Sequence, residues 1–173
     1  MELRRLNKRD GSWAKLETDW RAECDTYGED FESYAEASLG TLRDECDDHS
    51  IDPSSGVFGL LDSDNRLHAA CFLNSTFLPS YTGKVLRVRH FVLSPFYDFS
   101  PLDLEDYAIP FAAYFVALVE CSERILVSQH IKIHYRSPYD RQFFTAFGMQ
   151  MRATGRFSTV ESKGMWLYLS KSS

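Results

Sequence analysis

The segment from Lys84 to Glu123 constrains this chain more than any other. KVLRVRHFVL, Lys84 to Leu93, is rich in β-branched residues and ends at Ser94-Pro95, which predicts a strand. It is followed, after a polar and acidic stretch, by PFAAYFVALVECSE, Pro110 to Glu123, which is apolar almost all round. That pattern predicts a helix covered on both sides. SQHIKIHY, Ser128 to Tyr135, then reads as another strand, with Ile131 and Ile133 on one face. Strand, buried helix and strand in succession predict two adjacent parallel strands joined by a crossover.

Pro110 leaves the start of that helix open. Either it sits in the first turn, or it kinks a helix that begins near Leu102 or Asp103.

The flanking sequence supplies the other elements. MELRRLN alternates as a strand, and Ser12 is placed to cap a helix ending near Gly28, with Trp13, Leu16 and Trp20 at helical spacing. A second helix is expected from Phe31 to about Asp47. VFGLLDS and LHAACFLNSTFL form a hairpin about Asp62–Asn65. After the fifth strand, Ser137 or Asp140 caps a short helix ending before Gly148, and GRFSTVE and MWLYLSK close the chain as a hairpin. The order is β-α-α-β-β-β-α-β-α-β-β, an α+β class with a mixed central sheet flanked by helices. A length of 173 residues suits one domain.

Composition excludes several classes. The formal net charge is −6 and no basic stripe is present, so nucleic acid is not expected as a partner. The longest apolar run, Ile109 to Val119, is too short for a membrane span, and the N-terminus lacks the apolar core of a signal peptide. A soluble, cytoplasmic protein is expected. Cys24, Cys46, Cys71 and Cys121 form no CxxC pair, and His130 and His134 share parity without completing a metal set. Cys121 is expected as a core residue. Arg87 and Arg89 share a strand face; they are read as partners of acids from the first two helices, or as contacts for an acidic ligand.

The element order resembles the GNAT acyl-CoA N-acyltransferase fold over essentially the whole chain. Val92-Leu93-Ser94-Pro95-Phe96-Tyr97 resembles that family's Val-x-x-Pro-x-Tyr at the end of its fourth strand. Phe143-Phe144-Thr145-Ala146-Phe147-Gly148-Met149 resembles its late Phe-Tyr-x-x-x-Gly-Phe helix end. The strand–helix–hairpin run from Gln129 to Lys171 is also similar to the GNAT-like last third of some phage internal virion proteins.

The resemblance implies an acetyl-CoA-dependent N-acetyltransferase acting on a small-molecule or protein amine. It implies main-chain contacts to the donor from Val92, Leu93 and Ser94, with Phe99 and Ser100 in the cofactor loop. Residues 86, 88, 90 and 92 share a face by the period of two, and His90 is their only titratable member. It is therefore the candidate base. The position of the family's catalytic tyrosine is Phe144, so Tyr139 is the candidate acid.

The loop departs from the family. Its basic or amide position is Asp98, and its two glycine positions are Pro101 and Asp103. Proline removes an N–H donor and acids repel phosphate, so a weakened pyrophosphate cradle is expected. A GNAT-like domain serving binding or assembly without turnover is the alternative.

Overall fold

A computed structural model describes residues 1–46, 52–135 and 138–172. In chain order the elements are β1 (Glu2–Leu6), α1 (Ser12–Tyr27), α2 (Phe31–Ser38), α3 (Gly40–Glu45), β2 (Ser55–Leu61), β3 (Leu67–Phe77), β4 (Lys84–Leu93), α4 (Pro95–Phe99), α5 (Leu104–Arg124), β5 (His130–His134), α6 (Pro138–Ala153), β6 (Phe157–Lys163) and β7 (Trp166–Lys171). The seven strands form one mixed sheet in the order β1-β2-β3-β4-β5-β7-β6. This is the expected GNAT-like order, with the expected second helix divided into α2 and α3 and a short helix, α4, added. The expected crossover is present: β4 and β5 are parallel, with Val85 opposite His130 and Val88 opposite Ile133.

The chain groups into two compact units. One comprises residues 1–72 and 90–118, the other residues 73–89 and 119–173. β3, β4 and α5 each contribute to both.

In the first unit, β1 pairs antiparallel with β2, from Glu2 opposite Leu61 to Leu6 opposite Val57. α1 buries Trp13, Leu16, Trp20 and Cys24, a stripe with helical periodicity. They share a core with Tyr34, Leu39, Leu42, Val57, Leu67 and Val92. Buried Trp20 also donates its indole N–H to the carbonyl of Leu67, at 3.0 Å. α1 ends at Gly28, whose φ of 71° suits a residue without Cβ. Ser12 does not cap this helix. Gly11 holds the cap position with φ of 80°, while the Ser12 hydroxyl accepts the N–H of Asn7 at 2.8 Å and so ties the helix start to the end of β1. The single helix expected from Phe31 to Asp47 is two, broken at Leu39, whose φ of −101° caps α2 and precedes Gly40.

In the second unit, β7 lies between β5 and β6 and is antiparallel to both. Ile131, Ile133, Leu167 and Leu169 are buried on one face of these strands. Phe144 of α6 is buried and stacks on Tyr135, with ring centroids 6.2 Å apart. Gly148 does not stop this helix, which runs on to Ala153. Its lack of a side chain serves packing: a Cβ there would lie 2.9 Å from Cγ1 of Val160. Of the two caps considered, Ser137 lies outside the described residues, as does the side chain of Asp140.

α5 starts at Leu104 and carries Pro110 inside, which decides between the two starts read from the sequence. Full coverage of this helix is not observed. Ile109 is 64% exposed and Val116 48%, while Tyr114, Phe115 and Leu118 are fully buried. Among the described residues, no helix is long and apolar enough to cross a membrane.

Candidate acyl-transfer site

The residues implied by the resemblance sit at the end of β4 and in the segment that follows it. The first feature is local. His90 has φ of 50°, in the left-handed region that a β-strand does not use. The period of two therefore fails across it. Val88 and Val92 are buried whereas His90 is exposed, so the four residues 86, 88, 90 and 92 do not share one face. Phe91 takes the inward position instead, its ring 4.2 Å from that of Tyr114 and 5.4 Å from that of Phe111, both on α5. A one-residue irregularity of this kind re-aims side chains at a strand end. It presents the imidazole of His90 outward.

Beyond His90 the main chain is held by specific partners. The N–H of Ser94 donates to the carbonyl of His68 at 2.9 Å. The carbonyl of Leu93 accepts the hydroxyl of Tyr34 at 2.7 Å. Ser94 is buried, and its hydroxyl oxygen has no hydrogen-bond partner. So Ser94, expected to offer its N–H to a donor, has that group engaged within the fold.

His68 holds this turn by its side chain as well. It is 7% exposed, with Nδ1 2.7 Å from the hydroxyl of Tyr97 and Nε2 2.8 Å from Oδ2 of Asp62. Asp62 also accepts the N–H groups of Asp64 and Arg66, both at 2.9 Å. Its carboxyl is held below the ordinary carboxylate range, first by the His68 hydrogen bond. With Asp62 ionised, Nε2 carries the proton and Nδ1 accepts from Tyr97. Burial raises the Tyr97 phenol above its usual value, so its O–H stays a donor. Tyr107 of α5 donates its hydroxyl to the carbonyl of Tyr97. Neither Asp62 nor His68 was identified from the sequence. They lie at the two ends of the β2–β3 turn, six residues apart, and no motif marks them.

The segment expected to serve as the cofactor loop is filled from within. The N–H of Phe96, in the first turn of α4, donates to Oε2 of Glu23 at 2.9 Å, and Arg66 meets Oε1 of the same carboxylate at 2.9 Å. The ring of Phe99 packs against Tyr34 and Tyr27, at 5.8 and 6.5 Å between centroids. The hydroxyl of Ser100 bonds that of Tyr27, and its N–H donates to Phe96 at 3.0 Å. At the start of α5, Asp103 and Asp106 cap each other. The N–H of Asp106 donates to Asp103 at 3.1 Å, and the N–H of Asp103 to Asp106 at 3.2 Å. Three main-chain N–H groups of this segment, those of Phe96, Asp103 and Asp106, are thus occupied by the chain's own carboxylates.

Phe144, at the position of the family's catalytic tyrosine, is a core ring, and the side chain of Tyr139, the candidate acid, lies outside the described residues. Among the described residues there is no cluster of three potential metal ligands.

No family model matches the chain, and no curated protein matches it. Among solved structures it is similar to a protein of Exiguobacterium sp. 255-15 provisionally named an acetyltransferase. The identity is 18%, over 97% of this chain and 91% of that one, with a TM-score of 0.48. It is similar to FeeM, an N-acyl amino acid synthase from uncultured soil microbes, at 14% identity over 99% and 93% of the two chains, TM-score 0.38. A GNAT-family acetyltransferase from Listeria monocytogenes 4b F2365 gives 15% identity over 98% and 92%, TM-score 0.37. The fold assignment itself rests on strand order and the parallel crossover.

Proposed function

We propose that this chain is a GNAT-like N-acyltransferase that joins an acyl thioester to an amine, with acetyl-CoA as donor. The observation that supports this reading is the parallel β4–β5 pair. Its ladder joins residues 85–88 to 130–133, and β4 continues past it to Leu93. Main-chain groups alternate along a strand, so with the Ser94 N–H directed at β3, that of Val92 points the same way. Leu93 then directs its N–H away from β3, where its carbonyl already meets Tyr34 rather than a strand. That N–H is the donor for the thioester carbonyl. The neutral amine attacks the carbonyl carbon, the C–S bond breaks, and the acyl group passes to nitrogen. His90 takes the proton from the attacking amine. The departing thiolate takes a proton from Tyr139 or from water.

The donor in this reading is held by its acyl and pantetheine end. Glu23, Asp103 and Asp106 occupy main-chain donors of the loop, so the pyrophosphate adds little. The same three carboxylates favour a second reading, a GNAT-like binding or assembly module without turnover.

Release of free thiol from acetyl-CoA and from S-acetyl-pantetheine, against a panel of amines, separates the two. Turnover with both donors at similar efficiency is the expected result, with His90→Ala slower by about a hundredfold. Absence of thiol release, together with absence of calorimetric binding of either donor, removes the enzymatic reading.

A further inference from the structure

We infer that the half-open sheet face formed by β4, β5 and β7 in the second unit is a binding site for a carboxylate group. This goes beyond acyl transfer and does not depend on it. The argument begins with register. Arg87 of β4 lies opposite Lys132 of β5, and Lys132 lies opposite Tyr168 of β7. The three residues therefore form a row across one face, while Ile131, Ile133, Leu167 and Leu169 are buried on the other. Two cations side by side on neighbouring strands repel each other unless an anion lies between them.

No acid among the described residues supplies that anion. Among the described residues, neither Arg87 nor Lys132 is within ion-pair distance of a carboxylate, contrary to the pairing expected for Arg87. Glu161, in register with Tyr168 on the far side, is tied to Lys163 at 2.8 Å. The Nε of Arg87 is shut off from solvent and has no hydrogen-bond partner. A buried guanidinium N–H without an acceptor is costly, and a planar two-oxygen anion is its natural complement.

The surroundings fix the rest of the ligand's character. Lys132 stands over the rings of Trp166 and Tyr168, 4.3 and 4.8 Å from their centroids. His134 packs edge-on to Trp166 at 4.6 Å. The rings hold the ammonium in place beside Arg87 and offer apolar area to the carbon skeleton of an acid. A polyanion is disfavoured, because a chain of net charge −6 repels it at long range, whereas one carboxylate is recognised at contact distance. The carboxylate is either that of a small organic acid or a side chain of an acidic peptide segment.

Trp166 reports on the site, because the other two tryptophans, Trp13 and Trp20, are fully buried in the first unit. The whole chain is titrated with glutarate, with an acetylated and amidated glutamate-rich peptide, and with inorganic phosphate, following tryptophan emission and the Trp166 indole N–H resonance. A saturable change with glutarate or with the peptide is expected, stronger with whichever is the true source. It weakens with added salt, and by about tenfold or more in Arg87→Leu and in Lys132→Met. Arg87→Leu melts at or above the wild-type temperature, since it removes no ion pair and takes away a buried unmatched N–H; Lys132→Met serves if that variant does not fold. The assignment is overturned by silence with both carboxylate probes, by an unchanged response in the variants, or by a response to phosphate alone.

Discussion

The imidazole of His68 holds the hydroxyl of Tyr97 at 2.7 Å, linking the first residues of β3 to α4 just beyond β4. Both groups are buried, so neither has water as a substitute partner. Tyr97→Phe is expected to destabilise the fold by about 1–3 kcal/mol, the usual cost of leaving a buried acceptor unmatched. In a His68→Phe background the same change costs less. Urea denaturation of the four proteins in this cycle measures the coupling.

Asp62 makes the acid limb of stability predictable. Its folded carboxyl titrates below the unfolded one, mainly because His68 donates to it. The native state therefore binds that proton less readily than the unfolded chain. The contribution is whole above the unfolded value, about pH 4, and is lost as pH falls through the lower folded value. Asp62→Asn should flatten the pH dependence of the urea midpoint in this window and leave other acid-dependent losses in place.

The reciprocal cap of Asp103 and Asp106 sets a prediction for donor binding. Replacing both by Gly and Ala frees main-chain N–H groups and removes two negative charges. The double variant should bind coenzyme A several-fold more tightly by calorimetry, and lose roughly 1 kcal/mol of stability with its cap. S-acetyl-pantetheine, which has no pyrophosphate, should gain nothing from the change.

Gly148 faces Val160 too closely for a side chain. Gly148→Ala should cost about 1–3 kcal/mol, as overpacking does, and Val160→Ala introduced with it should restore part of the loss. Melting curves of the single and double variants check this.

α5 is sensitive on one side only. Ala117 is buried and Ala113 half-buried on a helix whose Ile109 and Val116 face solvent. Ala117→Asp should prevent soluble folding, because an unpaired buried carboxylate is very costly, whereas Ala113→Asp should still fold. Soluble expression of the two variants separates them.

Much of this architecture was legible in residue patterns. The strand Lys84–Leu93 has the bounds its β-branched run implied, and its parallel pairing with β5 followed from the apolar helix between them. What stayed hidden was where tertiary contacts decide. HFVL gives no sign that the backbone turns left-handed at His90, since no glycine stands there. Gly148 read as a helix end because a glycine's local preference is visible and the valine pressed against it is not. An apolar helix does not announce which flank is left open, so Val116, which is exposed, passed as core. The Asp62–His68–Tyr97 chain joins residues whose neighbourhood is created only by the sheet.

The cap at the start of α5 has a consequence for selectivity. Adenine nucleotides are abundant, and many share a diphosphate. A site that recognises this common handle admits competitors along with its substrate. Here Asp103 and Asp106 are tethered occupants of the helix start, always present at high local concentration. Free ADP or ATP meets carboxylates there instead of open amides. Under the acyl-transfer reading proposed above, free nucleotides gain nothing from these two amides, and the choice of ligand passes to the parts of the donor that carry no phosphate.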